Sequence, residues 1–387
     1  MRSTRPRALG LGAAGAVILS LGLALPAHAD YAPSGTDIVG IGGDTPQYDL
    51  DFGADGDING NLGYNAANNV NKLVSFDATA DLNGRAGYLN GSTLAAPLPL
   101  NPTIVLRAGT SPVQRPQSSG AGIAAILADT NHQIDFVRSA RQPTAAEQST
   151  AASKGYGYLH VVQLGTDAIN VVGTSTPATN APAGLSASDL IAIYQGTVTQ
   201  WNQLPGNSGG SAGTIIPLLP PNGSVIRTTF LNDLKAANGG VALVLGSSVQ
   251  TVEQNDPGAI TGTASPANTI APFSSARLGM YTAGYFHTPS TVFPGGAAIA
   301  PNVKPLTGTP AGGGSAYTST IGHYVLFRQS DAAIATPWQP GSTKNWVQAL
   351  FSDPSGTPYF KRAAAGALIS SAGTTYSYAD LGNVSSG

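Results

Sequence analysis

The chain has 387 residues, a formal net charge of -2 and only 10% charged residues, which excludes a basic surface for nucleic acid or anionic membrane. It contains no cysteine, so disulfides, a thiol nucleophile and a lipid carried on cysteine are all excluded. With 42% hydrophobic residues alongside 49 Gly and 28 Pro, it reads as a folded, loop-rich protein long enough for two lobes with cores of their own.

In chain order, residues 1–29 read as an export leader. Arg2, Arg5 and Arg7 precede the apolar run "ALGLGAAGAVILSLGLAL", and "AHA" offers a cut after Ala29. An uncleaved anchor is the alternative, and no twin-arginine pair is present. "DIVGIGG" (37–43) is a short strand ending in glycine, and Thr45 is the expected cap of the next helix, with Pro46 at its first position. Residues 53–70 are rich in Gly and Asn and read as a surface loop, with Gly53 and Gly56 breaking that helix early. "RPQSSGAGIAAIL" (115–127) is a helix entered through Ser118, Ser119 and Gly120. "HQIDFVRS" (132–139) is a strand holding one carboxylate, Asp135, and "YLHVVQLG" and "INVVGT" (158–174) are two buried strands. "LSASDLIAIYQG" (185–196) is a helix capped by Ser186, boxed by Asp189 and stopped by Gly196. "PPNGSVIRTTFLNDL" (220–234) is a helix entered through Gly223 and Ser224, with Ile226, Phe230 and Leu234 spaced four apart. Residues 342–351, "STKNWVQALF", form another. The stretches 205–214, 262–269 and 306–316 read as loops or lobe crossings, and the alternation of strands and helices predicts an α/β architecture.

The chemical signal is a pattern used three times: a hydroxyl or glycine at a helix start. Unpaired N–H groups and a partial positive charge at such a terminus suit an anion, and added hydroxyls donate further. The competing reading is that each Ser or Thr merely caps its own helix. Asp135 is the fourth element, because a carboxylate in an apolar strand is costly unless paired. It either pairs with Arg138 or Arg141, or it accepts a ligand proton, which favours hydrogen phosphate over sulfate. Outside the leader the histidines are His132, His160, His287 and His323, at spacings that match no zinc motif, and no Gly-x-Ser-x-Gly elbow or P-loop occurs. Trp201, Trp338 and Trp346 stand at spacings that suit core packing better than sugar stacking.

At these residues the chain resembles the phosphate-binding proteins of ABC importers, a family of the type II periplasmic-binding-protein-like fold, and in particular its secreted Gram-positive branch. "DIVGIGGDTPQY", "KLVSFDAT", "RPQSSGAGIAAILAD", "IDFVRSAR", "LSASDLIAIYQGTVTQWNQL" and "IIPLLPPNGSVIRTTFLNDL" run in family order from about 37 to 275. The last 90 residues match mainly around "IGHYVLFR". The resemblance implies two α/β lobes with mixed sheets flanked by helices, joined by two crossing strands. One lobe would comprise 36–165 and 305–387, the other 166–304. It implies a ligand site of Thr45, Ser118, Ser119, the Gly120 amide, Asp135 and Ser224 with the amides after it, beginning at Val225. Arg227 either adds charge there or pairs with an acid, and Asp167 would be structural.

The third loop departs from the family, reading Gly-Ser-Val-Ile-Arg where members usually read Gly-Ser-Gly-Thr. Position 220 is Pro where some members carry an anion-clamping arginine. The letters "DING" at 57–60 are a coincidence of position. The expectation is an extracellular, monomeric solute-binding protein for phosphate or a related oxyanion, not an enzyme, without cofactor or metal, and with no nucleic-acid partner. An ABC importer permease is the implied partner, although the missing lipid-bearing cysteine weakens that case. The alternative keeps the fold but makes the chain a secreted binding module with a degenerate anion site and a cell-surface or protein partner. A phosphatase-type hydrolase is the third class.

Overall fold

The computed structural model describes residues 32–57, 59–68, 70–78, 102–288, 296–333 and 337–386. The expected leader and its cut after Ala29 lie outside them, as does Ile58 of the "DING" letters. The strands are β1 (Ile38–Gly42), β2 (Leu73–Ser75), β3 (Thr103–Ile104), β4 (Val113–Gln114), β5 (Phe136–Ser139), β6 (Leu159–Thr174), β7 (Ile216–Leu219), β8 (Gln250–Thr251), β9 (Thr269–Ser274), β10 (Val303–Pro305), β11 (Thr318–Arg328) and β12 (Thr375–Gly382). The main sheet runs β2-β1-β5-β11-β6-β9-β7-β8, with β10 and β12 also on β6 and β3-β4 apart. The helices are α1 (Gln47–Asp55), α2 (Tyr64–Ala67), α3 (Ser119–Ala128), α4 (Ala145–Ser153), α5 (Ala187–Gln195), α6 (Val225–Ala237), α7 (Pro257–Thr261), α8 (Ser275–Thr282), α9 (Gln329–Ala332), α10 (Trp346–Leu350) and α11 (Ala363–Ser371).

Residues 158–174 are one strand, not two. The Leu164-Gly165 step that reads as a break is bridged because β11 pairs with β6 from Leu159 to Asn170, absorbing one register shift at His323/Tyr324. These two long strands are the crossing strands. Near one end β11 pairs antiparallel with β5, which is parallel to β1. Toward its other end β6 pairs antiparallel with β9, which is parallel to β7. Each half builds its own cores, as two lobes require. Phe136, Val162, Phe327, Leu350 and Phe351 pack in the first half, with Val39, Ile41, Ile123 and Leu326 on its other face. Ile169, Tyr194, Trp201, Ile226, Phe230 and Ile270 pack in the second. A smaller cluster joins the halves: Tyr48 and Phe52 of α1 meet Met280 and Tyr281 of α8, with Tyr285, Phe286 and Leu368.

Local chemistry explains the helix ends. Ser186 caps α5 in a reciprocal box with Asp189, and Gly196 closes it in the left-handed region. Helix α10 starts at Trp346, later than expected, because Asn345 takes the cap and pairs with Gln348. Helix α1 runs through Gly53, contrary to the expected early break. A Cβ there would lie 2.5 Å from the Phe360 ring, so this glycine makes room for packing, and Gly56 (φ +100°) ends the helix. All three tryptophans are buried, with the Trp201 indole N–H donating to Asn268 at 2.9 Å.

Gly42 closes β1 at φ +124°, where a Cβ would stand 2.4 Å from the Arg138 carbonyl oxygen. Gly42→Ala therefore combines a disfavoured backbone with a clash against backbone of the neighbouring strand. The expected loss is about 3 kcal/mol, read as a shift of the urea midpoint at unchanged slope.

Candidate oxyanion cleft

Within each half the parallel strands share a direction, but the β1–β5 set and the β7–β8–β9 set run opposite ways, so loops after the strand ends of the two halves meet across one crevice. Here β1 leads to Asp44 and Thr45, β7 to Pro221–Val225, β8 to Glu253–Asp256 and β9 to Arg277. These residues, with 114–119, Ala121, Tyr281 and Phe286, line one cleft of about 880 Å³. Its walls come from both halves of the sheet.

Ser118 is the N-cap of α3, its side chain accepting the Ala121 N–H at 3.2 Å. Ser119 is buried and its Oγ accepts the Ala140 N–H at 2.9 Å, tying the helix start to the end of β5. Ser224 caps α6 by accepting the Arg227 N–H at 3.2 Å. Each hydroxyl keeps its own proton to donate. The first-turn amides of α3 and α6 have no partner inside their helices, and both helix starts border the cleft. Ile226 turns its side chain wholly into the second core. Only Val225 of the divergent pair reaches the cleft.

The first loop differs from expectation. Helix α1 begins at Gln47 with Pro46 in the cap position and no side-chain cap. Thr45 lies inside a turn closed by the Gln47 N–H on the Asp44 carbonyl at 3.0 Å. It borders the cleft without capping a helix.

Asp135 is not among the cleft-lining residues. It sits at the N-terminal entry of β5, and the cleft lies beyond the other end of that strand. Its carboxylate accepts the Val39 N–H at 2.7 Å and pairs with Arg107 at 2.5 Å. Burial pushes its pKa up to about 6, with the Arg107 charge pulling it back. Neither expected partner is used: Arg141 pairs with Glu147 at 2.7 Å, and Arg138 is wholly buried under the first loop. Arg138 donates to the Phe76 carbonyl at 2.6 Å, to the carbonyls of Gly43 and Gly42, and to Ser75. Gly120 and Arg227 do not line the cleft either. The nearest atom to a Cβ on Gly120 would be an Arg141 Nη at 3.7 Å, and Arg227 folds back to donate to the Pro220 carbonyl at 2.9 Å.

Sequence reasoning missed the charged groups that do face the cleft: Asp44, Arg115, Glu253, Asp256 and Arg277. Asp44 directly precedes Thr45 and Arg115 opens the stretch "RPQSSGAGIAAIL", so the sequence holds a signal for both. Glu253 and Arg277 had no local signal. Arg277 is held by packing, its guanidinium 4.6 Å from the Tyr48 ring centre and 5.8 Å from that of Phe286. Asp167 has the structural role expected of it. It accepts the Ser274 hydroxyl at 2.5 Å and the Ala276 N–H at 2.8 Å, fastening the start of α8, and so Arg277, to the crossing strand.

Residues 105–348 match the family model described as a PBP superfamily domain, and the chain belongs to that family. In fold it is similar to an ABC-type phosphate transport receptor from Vibrio cholerae, with 14% identity, 88% of this chain and 100% of that chain covered, and a TM-score of 0.48. It is similar also to PstS from Borrelia burgdorferi, with 14% identity, 76% and 88% covered, and a TM-score of 0.38. Likeness at this level is too low to carry a ligand from one chain to another. No curated protein matches this chain in sequence. No helix of the described residues is long and apolar enough to cross a membrane.

Proposed function

We propose that the chain is a solute-binding protein that captures phosphate, or a small molecule carrying a phosphoryl group, between its two lobes, with no chemistry performed. The observation that supports this most is that Thr45, Ser118, Ser119, Ser224 and the starts of α3 and α6 border one cleft. Converging donors of this kind bind an oxyanion without a lysine, and Arg115 and Arg277 add positive charge. Asp44, the carboxylate at the first loop, lines the cleft where Asp135 does not, and in this reading it accepts the ligand proton. In this reading the boundary between lobes runs through β6 near residue 166, which the change of its partners from β12 to β9 supports. The packing of Leu306, Tyr317 and Ile321 in the second core supports a second boundary within β11 in place of one after residue 304.

Residues 1–29 act in this reading as an export leader cut after Ala29, placing a monomeric protein outside the cell, where an ABC importer permease takes over the ligand. N-terminal sequencing of secreted protein checks the cut. Isothermal titration with inorganic phosphate is expected to give saturable binding below about 1 mM. Ser119→Ala and Ser224→Ala should each weaken it about tenfold, the worth of one hydrogen bond to a charged group. Absence of binding by the wild type in that range overturns the reading.

A further inference from the structure

One wall of the cleft holds a residue in an uncommon backbone state. Among the described residues three besides glycine have positive φ, namely His132, Asn255 and Asn302, and of these Asn255 alone is buried, at 3% exposure. It also lines the cleft. Its φ of +56° lies in the left-handed region, which costs most residues free energy and asparagine less. Such states persist where the surroundings over-determine them, and they gather at ligand sites.

Before Asn255 the loop is fastened to β7 by the Val252 N–H, which donates to the Leu219 carbonyl at 3.0 Å. After it Asp256 caps α7, accepting the Gly258 N–H at 2.7 Å. Between these anchors the Asn255 side chain reaches the end of β9, where its Oδ1 accepts the Ser274 N–H at 3.0 Å. Ser274 is the N-cap of α8, and its Oγ accepts the Arg277 N–H at 3.0 Å. Two hydrogen bonds therefore link the loop after β8 to Arg277. The Arg277 guanidinium in turn reaches the first loop, donating to the Asp44 carbonyl at 3.4 Å and lying over Tyr48. The Asn255 Nδ2 is sealed in the wall with no acceptor among the described residues. The side chain thus acts through Oδ1, on the start of α8, and not by touching a ligand.

We infer that Asn255 is a positioning residue of the phosphoryl site: through Ser274 it fixes the orientation in which α8 presents Arg277 to the cleft. This rests on the phosphoryl-binding reading above and goes further by naming the residue that aims the cation. An arginine recognises a phosphoryl group through a directional fork of N–H donors, so a small rotation of α8 weakens binding while the fold survives. Asp167 holds the same cap from the crossing strand, which keeps α8 attached when the Asn255 contact is removed.

The test is a double-mutant cycle read by isothermal titration of inorganic phosphate into the full chain: wild type, Asn255→Gly, Arg277→Met and the pair. Glycine adopts the same φ without strain and removes the acceptor. Each single variant is expected to weaken binding about tenfold, and the pair no more than about twofold beyond Arg277→Met alone. A residue that only supported the fold would lower affinity equally in both backgrounds. Amide exchange from Ser274 to Arg277 without ligand should quicken about tenfold in Asn255→Gly and stay near wild type in Asn255→Asp, which keeps the acceptor. If Asn255→Gly binds within about twofold of the wild type, or weakens binding as much without Arg277 as with it, the inference falls while phosphoryl binding stands. The same follows if Arg277→Met binds like the wild type. Loss of the cooperative urea transition in Asn255→Gly would show a role in the fold itself and also overturn it. If the wild type binds no phosphate up to about 10 mM, phosphoryl binding itself falls and the inference with it.

Discussion

Arg138→Met is expected to cost about 3–5 kcal/mol of folding stability and to abolish ligand binding. The side chain is wholly buried and spreads its guanidinium over the carbonyls of Gly42, Gly43 and Phe76 and the hydroxyl of Ser75. Burial pushes its pKa down to about 10, opposed by the charges of Asp77 and Asp44, so it stays charged at neutral pH. Methionine fills much of the volume but leaves those acceptors without donors and the nearby carboxylates without their countercharge. The loop that carries Asp44 and Thr45 rests on these bonds, so its position in the cleft is lost together with stability. Arg138→Lys is expected to rescue little, since an ammonium cannot reach several acceptors spread over a planar fork. Urea unfolding and phosphate titration of both variants check this. A loss under about 1 kcal/mol for methionine would mean that the first loop does not depend on the arginine.

Asp49→Ala is expected to cost about 3 kcal/mol and to change how stability varies with pH. His323 lies on β11 at the register shift, opposite Gly165 of β6, and is fully buried. Its Nδ1 meets Asp49 Oδ2 of α1 at 2.7 Å, while the Thr374 hydroxyl donates to Asp49 Oδ1 at 2.7 Å. Burial by itself depresses the imidazole pKa. The charge and hydrogen bond of Asp49, with the charges of Asp167 and Asp44, outweigh it and hold the pKa above its ordinary 6.5. Between 6.5 and the raised folded value the native state holds the extra proton, so stability falls as pH rises. The contribution is complete below 6.5 and gone above the folded pKa. Urea midpoints of the wild type should decline across that interval. Those of Asp49→Ala should be lower and flatter, because the partner that raises the imidazole is gone. An unchanged pH slope in the variant would exclude this pair as its source.

The two halves of that pair stand 274 residues apart, and no local pattern in "QYDLDFG" or "IGHYVLFR" joins them. Separation in sequence likewise hides the partner of Asp135, 28 residues away. A lone carboxylate in an apolar strand announces that it needs a partner, and that much was legible. Arg107 becomes the partner only when its loop reaches the entry of β5. Which end of the strand faces the cleft depends on strand direction within the sheet, and an isolated strand does not specify it. Thr45 fails as a cap for a more local reason: the turn from Asp44 to Gln47 delays the helix, although the residue still reaches the cleft. At the third loop, Val225 and Ile226 look alike in sequence. The helix phase sends Ile226 into the core and leaves Val225 at the cleft wall.

By itself the sequence determined what short-range physics controls. It marked the alternation of strands and helices, the capped helix at 187–195, the buried tryptophans, the serines at the starts of α3 and α6, and a family whose model covers residues 105–348. Caps, periodicity and glycine punctuation act within a turn or two of the chain, so they can be read from neighbours. Only the tertiary structure decided which charges meet. It buried Arg138 beneath the first loop, paired Asp135 with Arg107 and His323 with Asp49, and brought Asp44, Glu253 and Arg277 to one cleft. Charges act through space and their energy depends on burial, and neither distance nor burial exists until the sheet has assembled.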